Sequence, residues 1–600
     1  MKKIVSILPA LLAALLLTGC EDFLDVNKSK DAAITTSVDQ VLPVACFYAS
    51  QICYDHAEYN VYLSQALTTG GKSQTGVYPY SQGWEFLGVN RHPMWRRHFY
   101  DLGANINKMN EIAEANGNRN AILIGRTIML ASTLYTTDAF GDMPRSEAYQ
   151  ATSPKYDSQA EIYDWMFTEA DELVRLYEDP EWVNCPTNLP ISAKMDRIYG
   201  GDLKKWELYA KAIRCRLWLR KLPNWDNTSA NCQKIVAMVD DVLNNADWEE
   251  PRYHYDGGKT EQNCPWGPYA PVINSWESRA NRLASSIPTA FFAKAILGAY
   301  STYRSDRGYA LDPRAEKIMT PREDASKKKA IIYLESNIGM DNSMKTTYYP
   351  DLYATDALTN PYTQNTGYIA LITDEELMFI KAEAQYWAGD KTGAYNTTKE
   401  ATIHNMERYG VIESALIDGT YAKNQYYRFF NIKLPGANTF TIADLMQQKY
   451  VAMYLQPEQW TDLRRYNYSS KTNGIQYDNT YVYTVQHVHN GANKGFKADS
   501  VNFDQEYSLR RPYNLYEAYW CNAEDYGTNA ELSPNAWVAR LNADTETETK
   551  YNKGELDRIG YYTTNAQGEK ILDYNVLKRR MIWAYNTGGK AQCADPTPWK

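Results

Sequence analysis

Several stretches of this 600-residue chain carry apolar residues at every third or fourth position, behind polar residues that can cap a helix. In one stretch Ser158 is followed three residues later by Glu161, which is the spacing of a capping box. The apolar face behind it consists of Ile162, Trp165, Met166, Leu173 and Leu176. Asp202 can cap a second helix, whose apolar positions are Leu203, Trp206, Ala210, Ile213 and Leu217. We expect these two helices to pack as a hairpin.

Three further stretches repeat the helical pattern. One helix is predicted by Ile106, Met109, Ile112 and Ala113, with a partner over residues 122–135. Another begins at the capping pair Thr373 and Glu376, ends at Gly389 in a left-handed C-cap, and carries Leu377, Ile380, Ala384 and Trp387. The last carries Ile442, Leu445, Lys449 and Met453. Successive hairpins predict tetratricopeptide-like stacking, although the chain has no strict period of about 34 residues.

Long stretches without a helical period separate these helices: residues 77–91, 251–286, 346–368 and most of 467–572. Irregular segments of this length are usually functional or carry small strands of their own, and residues 481–487 and 501–507 predict short strands. We therefore expect a mostly α fold, in which tetratricopeptide-like helix hairpins form a scaffold. A loop-rich irregular lobe with a few short strands, mainly residues 251–370 and 467–572, is inserted into that scaffold.

The N-terminus has the pattern of an export signal. Lys2 and Lys3 precede an apolar run over residues 4–17, which is shorter than the ~20 residues that span a bilayer, and small residues then lead to Cys20. A Cys at this position can be acylated, and acyl chains hold a soluble body on a membrane. We predict a lipoprotein signal peptide over residues 1–19 and a lipidated flexible tether over residues 20–39. A single body then occupies residues 40–600.

Composition limits the class of ligand. A net charge of −9, a pI near 5.5 and the lack of a long Lys/Arg cluster argue against nucleic acid as a partner. The chain holds 49 Tyr, 16 Trp and 14 Phe, although its mean hydropathy is only −0.56. Tyr and Trp combine an apolar face with a polar tip, which suits amphipathic ligands such as sugars or peptides.

Cysteine and histidine give weaker signals. Eight Cys remain besides Cys20, and none forms a Cys-x-x-Cys motif, so zinc-ribbon and thioredoxin signatures are missing. The one disulfide we predict joins Cys46 to Cys53, with free buried thiols as the alternative. His487 and His489 would point the same way from a strand, but no third ligand is identifiable, so we predict no metal and no cofactor.

Seven separated segments of the chain form a characteristic series: residues 20–27 (CEDFLDVN), 137–148 (TDAFGDMPRSEA), 199–203 (YGGDL) with Trp206, 312–314 (DPR), 373–383, 448–450 and 458–465 (EQWTDLRR). These segments resemble motifs of the SusD/RagB family of surface lipoproteins. Their order also matches. The sequence departs from the family at Arg145, where an aromatic residue is common, and no family signature follows Tyr551.

This resemblance implies ligand capture without catalysis, by a protein that faces outward from the outer membrane. It also implies a partner, a TonB-dependent transporter of the SusC-like type. The acidic residues Glu21 and Asp22 resemble the surface-export signal of such lipoproteins.

Most of the motifs themselves predict structure. Gly141 and Pro144 stop a helix and fix the next turn, and Asp138 and Asp142 can bond to free backbone N–H groups. Near the end of the last predicted helix, Glu458, Asp462, Arg464 and Arg465 predict an ion-pair network. We assign neither set to the ligand site.

We place the ligand on aromatic residues of the long loops, because C–H faces of sugars stack on indole and phenol rings. The first group is Tyr78, Tyr80, Trp84 and Arg91, and the second is Trp266, Tyr269 and Trp276. An oligosaccharide is the first choice of ligand and an oligopeptide the alternative. Anchoring of the loops is an equally good role for any single ring.

A surface glycoside hydrolase is the second alternative. Neither a His-Glu-x-x-His nor a Gly-x-Ser-x-Gly motif is present, and Ala66 stands where a phosphate loop ending in Gly71-Lys72-Ser73 requires Gly. A pair of carboxylates is uninformative among 72 acidic residues. We therefore predict a binding protein and not an enzyme.

Overall fold

Paired helices make up about half of the residues that the structure describes. The computed structural model describes residues 36–69, 92–269, 283, 286–289, 291–300, 309–310, 312–320, 322–323, 331–332, 351–353, 360–411, 429–466, 483–484, 506–507, 538–573, 576–577 and 579–584. The N-terminal helices are α1 (Val38–Leu63), α2 (Pro93–Arg96), α3 (Ala104–Asn116), α4 (Arg119–Phe140), α5 (Gln159–Tyr177), α6 (Pro180–Val183), α7 (Leu203–Leu219) and α8 (Ser229–Leu243). A π-helical segment, Arg97–Gly103, joins α2 to α3.

The later helices are α9 (Ala315–Ile318), α10 (Asp374–Trp387), α11 (Lys391–Arg408), α12 (Ile442–Ala452), α13 (Glu458–Arg465), α14 (Thr545–Tyr551) and α15 (Lys553–Arg558). A π-helical segment covers Phe291–Ile296, and 3₁₀ turns cover Thr260–Gln262 and Ile582–Ala584.

The helix starts follow the capping signals of the sequence. Ser158 and Glu161 form the predicted capping box of α5, and the carboxylate of Asp202 accepts backbone N–H groups at the start of α7. Gly389 has the predicted left-handed backbone after α10, with φ of +90°. Only one of the two hydrogen bonds of the capping box predicted for α10 forms. Thr373 accepts the backbone N–H of Glu376, but the Glu376 carboxylate pairs with the buried Arg216 (2.6 Å) and not with the helix start.

Both predicted helix pairs form, since α3 packs against α4 and α5 packs against α7. In addition, α10 packs against α11, and α8 lies between α7 and α10. Helix α12 packs on α10 and α11, and α13 packs on α1, which also contacts α3 and α4. The chain thus has the mostly α, tetratricopeptide-like scaffold that the sequence predicts.

The described strands are short and pair in twos, always antiparallel. The pairs are β1 (Leu67–Thr69) with β5 (Ser286–Pro288), β2 (Met143–Pro144) with β3 (Tyr156–Asp157), β4 (Arg252–His254) with β10 (Tyr368–Ala370), β6 (Ala299–Tyr300) with β7 (Tyr309–Ala310), β8 (Arg322–Glu323) with β9 (Ile331–Ile332), β11 (Tyr483–Thr484) with β12 (Glu506–Tyr507), and β13 (Tyr562–Thr564) with β14 (Lys570–Leu572). Strands β11 and β12 fall within the two segments predicted to be strands.

The predicted disulfide between Cys46 and Cys53 is wrong. Both residues lie on α1, seven positions apart, and an α-helix rises about 10.5 Å over that distance. A disulfide requires Cα atoms about 4.4–6.8 Å apart, so the two thiols cannot meet. Both are buried and free. The other four described cysteines are also free: Cys215, Cys232 and Cys264 are buried, and Cys185 is partly exposed. Burial raises the pKa of Cys53 to about 12, which makes this thiol inert at neutral pH.

Some predictions fall on residues that the structure does not describe. These are the signal peptide, the anchor Cys20, most of the tether, and the pair His487 and His489. Among the helices of the described ranges, none has the length and apolar character needed to cross a membrane.

Candidate functional site

Four of the segments that carry the family resemblance meet in the core, where two arginines of α7 join them in a buried ion-pair network. Arg216 on α7 pairs with Glu376 on α10 (2.6 Å), and Arg220 one turn later pairs with both Asp138 (2.8 Å) and Glu458 (2.7 Å). All five side chains are at most 5% exposed. Each carboxylate therefore has an Arg partner inside the scaffold.

The network continues along α13. Arg465 pairs with Glu383 (2.8 Å) and Asp462 (2.7 Å), and Lys449 reaches Asp462 at 3.0 Å. Arg464 donates to the backbone carbonyl of Asp138 (2.5 Å). We call Asp138, Arg216, Arg220, Glu376, Glu383, Lys449, Glu458, Asp462 and Arg465 the buried network. Of the ion-pair network predicted on this helix end, the pair between Asp462 and Arg465 is confirmed, whereas Glu458 pairs with the arginines of α7. The network joins five helices in place of one.

Electrostatics keep Glu458 charged. Burial on its own would raise the pKa of Glu458, but Arg220 and Arg216 beside it lower that pKa to about 2. Glu458 is only 1% exposed, so a ligand in solution does not reach it. The network is therefore structural.

The structure describes two residues of the predicted loop groups. Trp266 is only 2% exposed and packs edge-on against Tyr54, with ring centroids 4.7 Å apart, so its ring is covered by the core. Tyr269 is 68% exposed. Its backbone N–H donates to Asn365 (3.2 Å), and its carbonyl accepts from Asn263 (2.7 Å), so the loop holds this ring at the surface. Tyr78, Tyr80, Trp84, Arg91 and Trp276 lie outside the described residues, and ligand binding by either group stays a prediction.

A cleft of about 700 Å³ opens at the surface beside the start of α2. Its walls come from the α2–π segment, from the loop between β2 and β3, and from α14 near the C-terminus. The rings that line it are those of Trp95, Phe99, Tyr100 and Tyr149, and the carboxyl groups are those of Asp544, Glu546 and Glu548. We call this site the aromatic cleft.

The π-helical segment carries Tyr100 and contacts Tyr149. Tyr100 lies on it and is 68% exposed. Tyr149 comes from the facing loop, and its hydroxyl donates to the carbonyl of His98 (3.3 Å). A Cβ at Gly103 would lie only 1.7 Å from that hydroxyl oxygen, so glycine is required for the two segments to meet. Tyr149 also has a left-handed backbone with φ of +65°, a strained conformation that is common at binding sites.

The floor of the cleft is a stack of aromatic rings. Trp95 is buried, contacts Phe99 with ring centroids 4.8 Å apart, and stacks on Tyr156 at 6.1 Å. The hydroxyl of Tyr156 donates to Glu548 (2.6 Å), which joins the ring stack to α14. The side chains that line the floor are thus fixed before any ligand arrives.

The acidic wall is held by neutral groups. Asp544 caps α14, accepting the backbone N–H of Thr547 (3.3 Å), and its other oxygen accepts the backbone N–H of His92 (3.0 Å). Burial raises the pKa of Glu548, and the nearby Asp544 raises it further, against a lowering by the Tyr156 hydroxyl. The ring of His92 is bonded through Nε2 to Asn542 (3.0 Å).

Sequence reasoning missed the aromatic cleft. The only local signal is the cluster Trp95, Phe99 and Tyr100, which at helical spacing predicts core packing as readily as a site. The facing wall lies more than 400 positions further along, in a part of the chain without recognisable motifs. Within the described part of the chain, no cluster of His, Cys, Asp and Glu is placed to hold a metal ion.

Paired helices, an irregular lobe of short strands and an aromatic surface cleft define the class of tetratricopeptide-like binding scaffolds. A family model for SusD-like proteins, described as "Starch-binding associating with outer membrane", matches residues 37–483. Because this match covers most of the chain, the protein belongs to the SusD-like family, whose members generally bind ligands without catalysis.

Solved structures show the same fold. A SusD/RagB family protein from Bacteroides thetaiotaomicron is 17% identical, with a TM-score of 0.60 and coverage of 93% of this chain and 100% of that chain. A SusD homolog from Bacteroides uniformis is 14% identical, with a TM-score of 0.54 and coverage of 91% and 99%. A chitin-binding protein is 16% identical, with a TM-score of 0.52 and coverage of 91% and 100%. No curated protein matches the sequence.

Proposed function

We propose that this protein captures oligosaccharides at the cell surface and delivers them to a TonB-dependent, SusC-like transporter in the outer membrane, without catalysis. The observation that carries the proposal is the aromatic cleft on a scaffold of the SusD-like family. Its exposed rings offer flat apolar faces to the C–H faces of a sugar, and its carboxyl groups accept bonds from sugar hydroxyls. The predicted loop groups that contain Tyr80 and Tyr269 are the second candidate surface for the ligand in this proposal.

The lipid anchor is the second part of the proposal. Acylation of Cys20 would hold the body beside its transporter, where a high effective concentration compensates for weak intrinsic affinity. Replacing Cys20 by Ala releases the protein from the membrane without unfolding it. Fractionation of cells, followed by a thermal melt of the released protein, measures both effects. Retention of the Cys20→Ala variant in the membrane fraction would contradict the anchor.

Calorimetric titration against matched panels of oligosaccharides and oligopeptides tests the ligand class. We expect saturable heat with at least one oligosaccharide and no release of shorter products by chromatography. A heat of binding with oligopeptides only would contradict the oligosaccharide ligand and favour the oligopeptide alternative. If the protein hydrolyses a polysaccharide and a single carboxylate substitution abolishes this turnover, the protein is a glycoside hydrolase and not a binding protein.

Co-purification tests the transporter. Tagged protein extracted from outer membranes in mild detergent should carry a TonB-dependent transporter with it. If the transporter co-purifies with the wild-type protein but not with the Cys20→Ala variant, membrane proximity and not a protein–protein interface held the pair together.

A further inference from the structure

Two carboxyl groups of the aromatic cleft, those of the buried Asp544 and the half-buried Glu548, have no ion-pair partner among the residues described. Asp544 is 4% exposed, and its partners are backbone and hydroxyl groups of His92 and Thr547. Glu548 is held by the hydroxyl of Tyr156 and by the side chains of Trp95 and Asn552, all of which are neutral. Withdrawing a carboxylate from water without a nearby cation costs free energy, so a bound cation would stabilise the cleft.

The other titratable groups that line the cleft, among the residues described, do not neutralise these two carboxyl groups. Arg96 lines the cleft, but its guanidinium lies 5.2 Å above the Tyr100 ring and 3.5 Å from Asp101. Burial lowers the pKa of His92 although Asp544 opposes it, so this ring is neutral near pH 7. Glu546 adds a third carboxyl group to the same wall. The lining therefore has an excess of negative charge.

The aromatic rings strengthen the case for a cation. Tyr100 and Tyr149 present exposed rings beside the acidic wall, and the faces of aromatic rings attract positive charge. Nδ1 of the buried His92, which lines the cleft, has no hydrogen-bond partner among the described residues and can accept an N–H bond. Acceptors, carboxylates and rings together match a ligand that carries an ammonium group on an apolar body.

We propose that the aromatic cleft recognises a positively charged amino sugar, with its ammonium group on the acidic wall formed by Asp544, Glu546 and Glu548. The sugar ring stacks on Tyr100 or Tyr149. This inference rests on the proposed function, because it names the class of sugar that the cleft selects.

The test compares two probes with the same sugar backbone, one carrying ammonium groups and the other neutral acetamido groups. The purified full-length protein is titrated at pH 6 with a β-1,4-linked glucosamine tetrasaccharide and with its fully N-acetylated counterpart. We expect the charged probe to bind about tenfold more tightly or better, which corresponds to about 1.4 kcal/mol. Added salt should reduce that preference, since it screens partly exposed charges.

Glu546→Gln and Glu548→Gln should each reduce the preference for the charged probe, while affinity for the N-acetylated probe stays nearly constant. Gln keeps the size of the side chain and an acceptor for Tyr156, and a thermal melt checks the fold. Glu114→Gln is the matched control, because it removes the same charge from an exposed position on α3 that does not line the cleft. It should leave the preference unchanged.

Each outcome separates the inference from the proposed function. Equal affinity for the two probes overturns the amino-sugar assignment and leaves glycan capture standing. The absence of binding by any oligosaccharide overturns both. Binding of a lysine-rich peptide that depends on Glu548, without binding of either sugar, overturns the amino sugar in favour of a basic peptide.

Discussion

The buried network and the aromatic cleft both contain several carboxyl groups, but only the network pairs each of them with an Arg side chain. In the network every carboxylate has an Arg partner within 2.8 Å, and the groups are enclosed by helices. In the cleft Asp544 and Glu548 have only neutral partners among the described residues. Paired buried charge holds helices in register, whereas unpaired charge beside exposed rings leaves electrostatic energy for a ligand.

Breaking the network should have the largest effect on the fold. Arg465→Met leaves Glu383 and Asp462 buried without their guanidinium partner, so we expect the free energy of unfolding to fall by about 3–5 kcal/mol. Urea denaturation measures this loss. Lys108→Met, which removes an exposed ion pair with Glu111, is the control and should cost about 0–1 kcal/mol. A loss at Arg465 no larger than this control would remove the structural role of the network.

Acidification should act on Glu458 in the network and on Glu548 in the cleft with opposite sign. The pKa of Glu458 is lowered to about 2 in the folded protein, so its contribution is present above the unfolded pKa near 4.5 and is lost as the pH falls towards 2. This contribution is on the order of 3 kcal/mol. The pKa of Glu548 is raised, so its protonation makes the folded state more stable as the pH falls. Urea denaturation between pH 7 and 2.5 measures the sum.

Variants separate the two contributions to the pH dependence. Glu458→Gln should flatten the loss of stability below pH 4.5, and Glu548→Gln should remove the opposing gain at higher pH. An unchanged pH profile in both variants would contradict the assignment of charge to the two regions.

Ligand affinity should distinguish the aromatic cleft from the predicted loop site. Tyr100 and Tyr269 are both 68% exposed, one in the cleft and one on the loop, so their truncation to Ala removes matched rings. A stacked ring contributes about 1 kcal/mol, so Tyr100→Ala should weaken oligosaccharide binding about fivefold. Calorimetry measures the change. Tyr551→Ala, equally exposed but outside the cleft lining, is the control. A loss at Tyr269 alone would move the ligand to the loop group.

Gly103→Ala tests how the cleft is built, with the smallest expected effect. Alanine normally stabilises a helical position by about 1 kcal/mol, but here the new Cβ would lie 1.7 Å from the hydroxyl oxygen of Tyr149. The new Cβ would also lie 2.4 Å from the backbone carbonyl oxygen of His98, so the ring and this turn of backbone must both move. We therefore expect weaker oligosaccharide binding together with a lower melting temperature. Gly554→Ala on α15 meets no atom within 4 Å and should leave binding unchanged. Unaltered binding by Gly103→Ala would show that the position of Tyr149 is not required.

The sequence by itself determined the helices, because capping and amphipathic period are local properties of the chain. Ser158, Asp202 and Gly389 act where the pattern places them, and the ion pair between Asp462 and Arg465 forms within one turn of α13. The pairing of neighbouring helices followed from the same stripes, since each apolar face must be buried against another.

Only the tertiary structure decided where charge is paired and where it is left open. Glu376 leaves its capping box for Arg216, which lies 160 positions earlier, and no local pattern announces such a partner. The aromatic cleft likewise needs Trp95, Tyr149 and Glu548, which come from distant parts of the chain. Chain folding brings these groups together at a cost in entropy that the packed scaffold offsets, so their contact is a property of the fold and not of any segment.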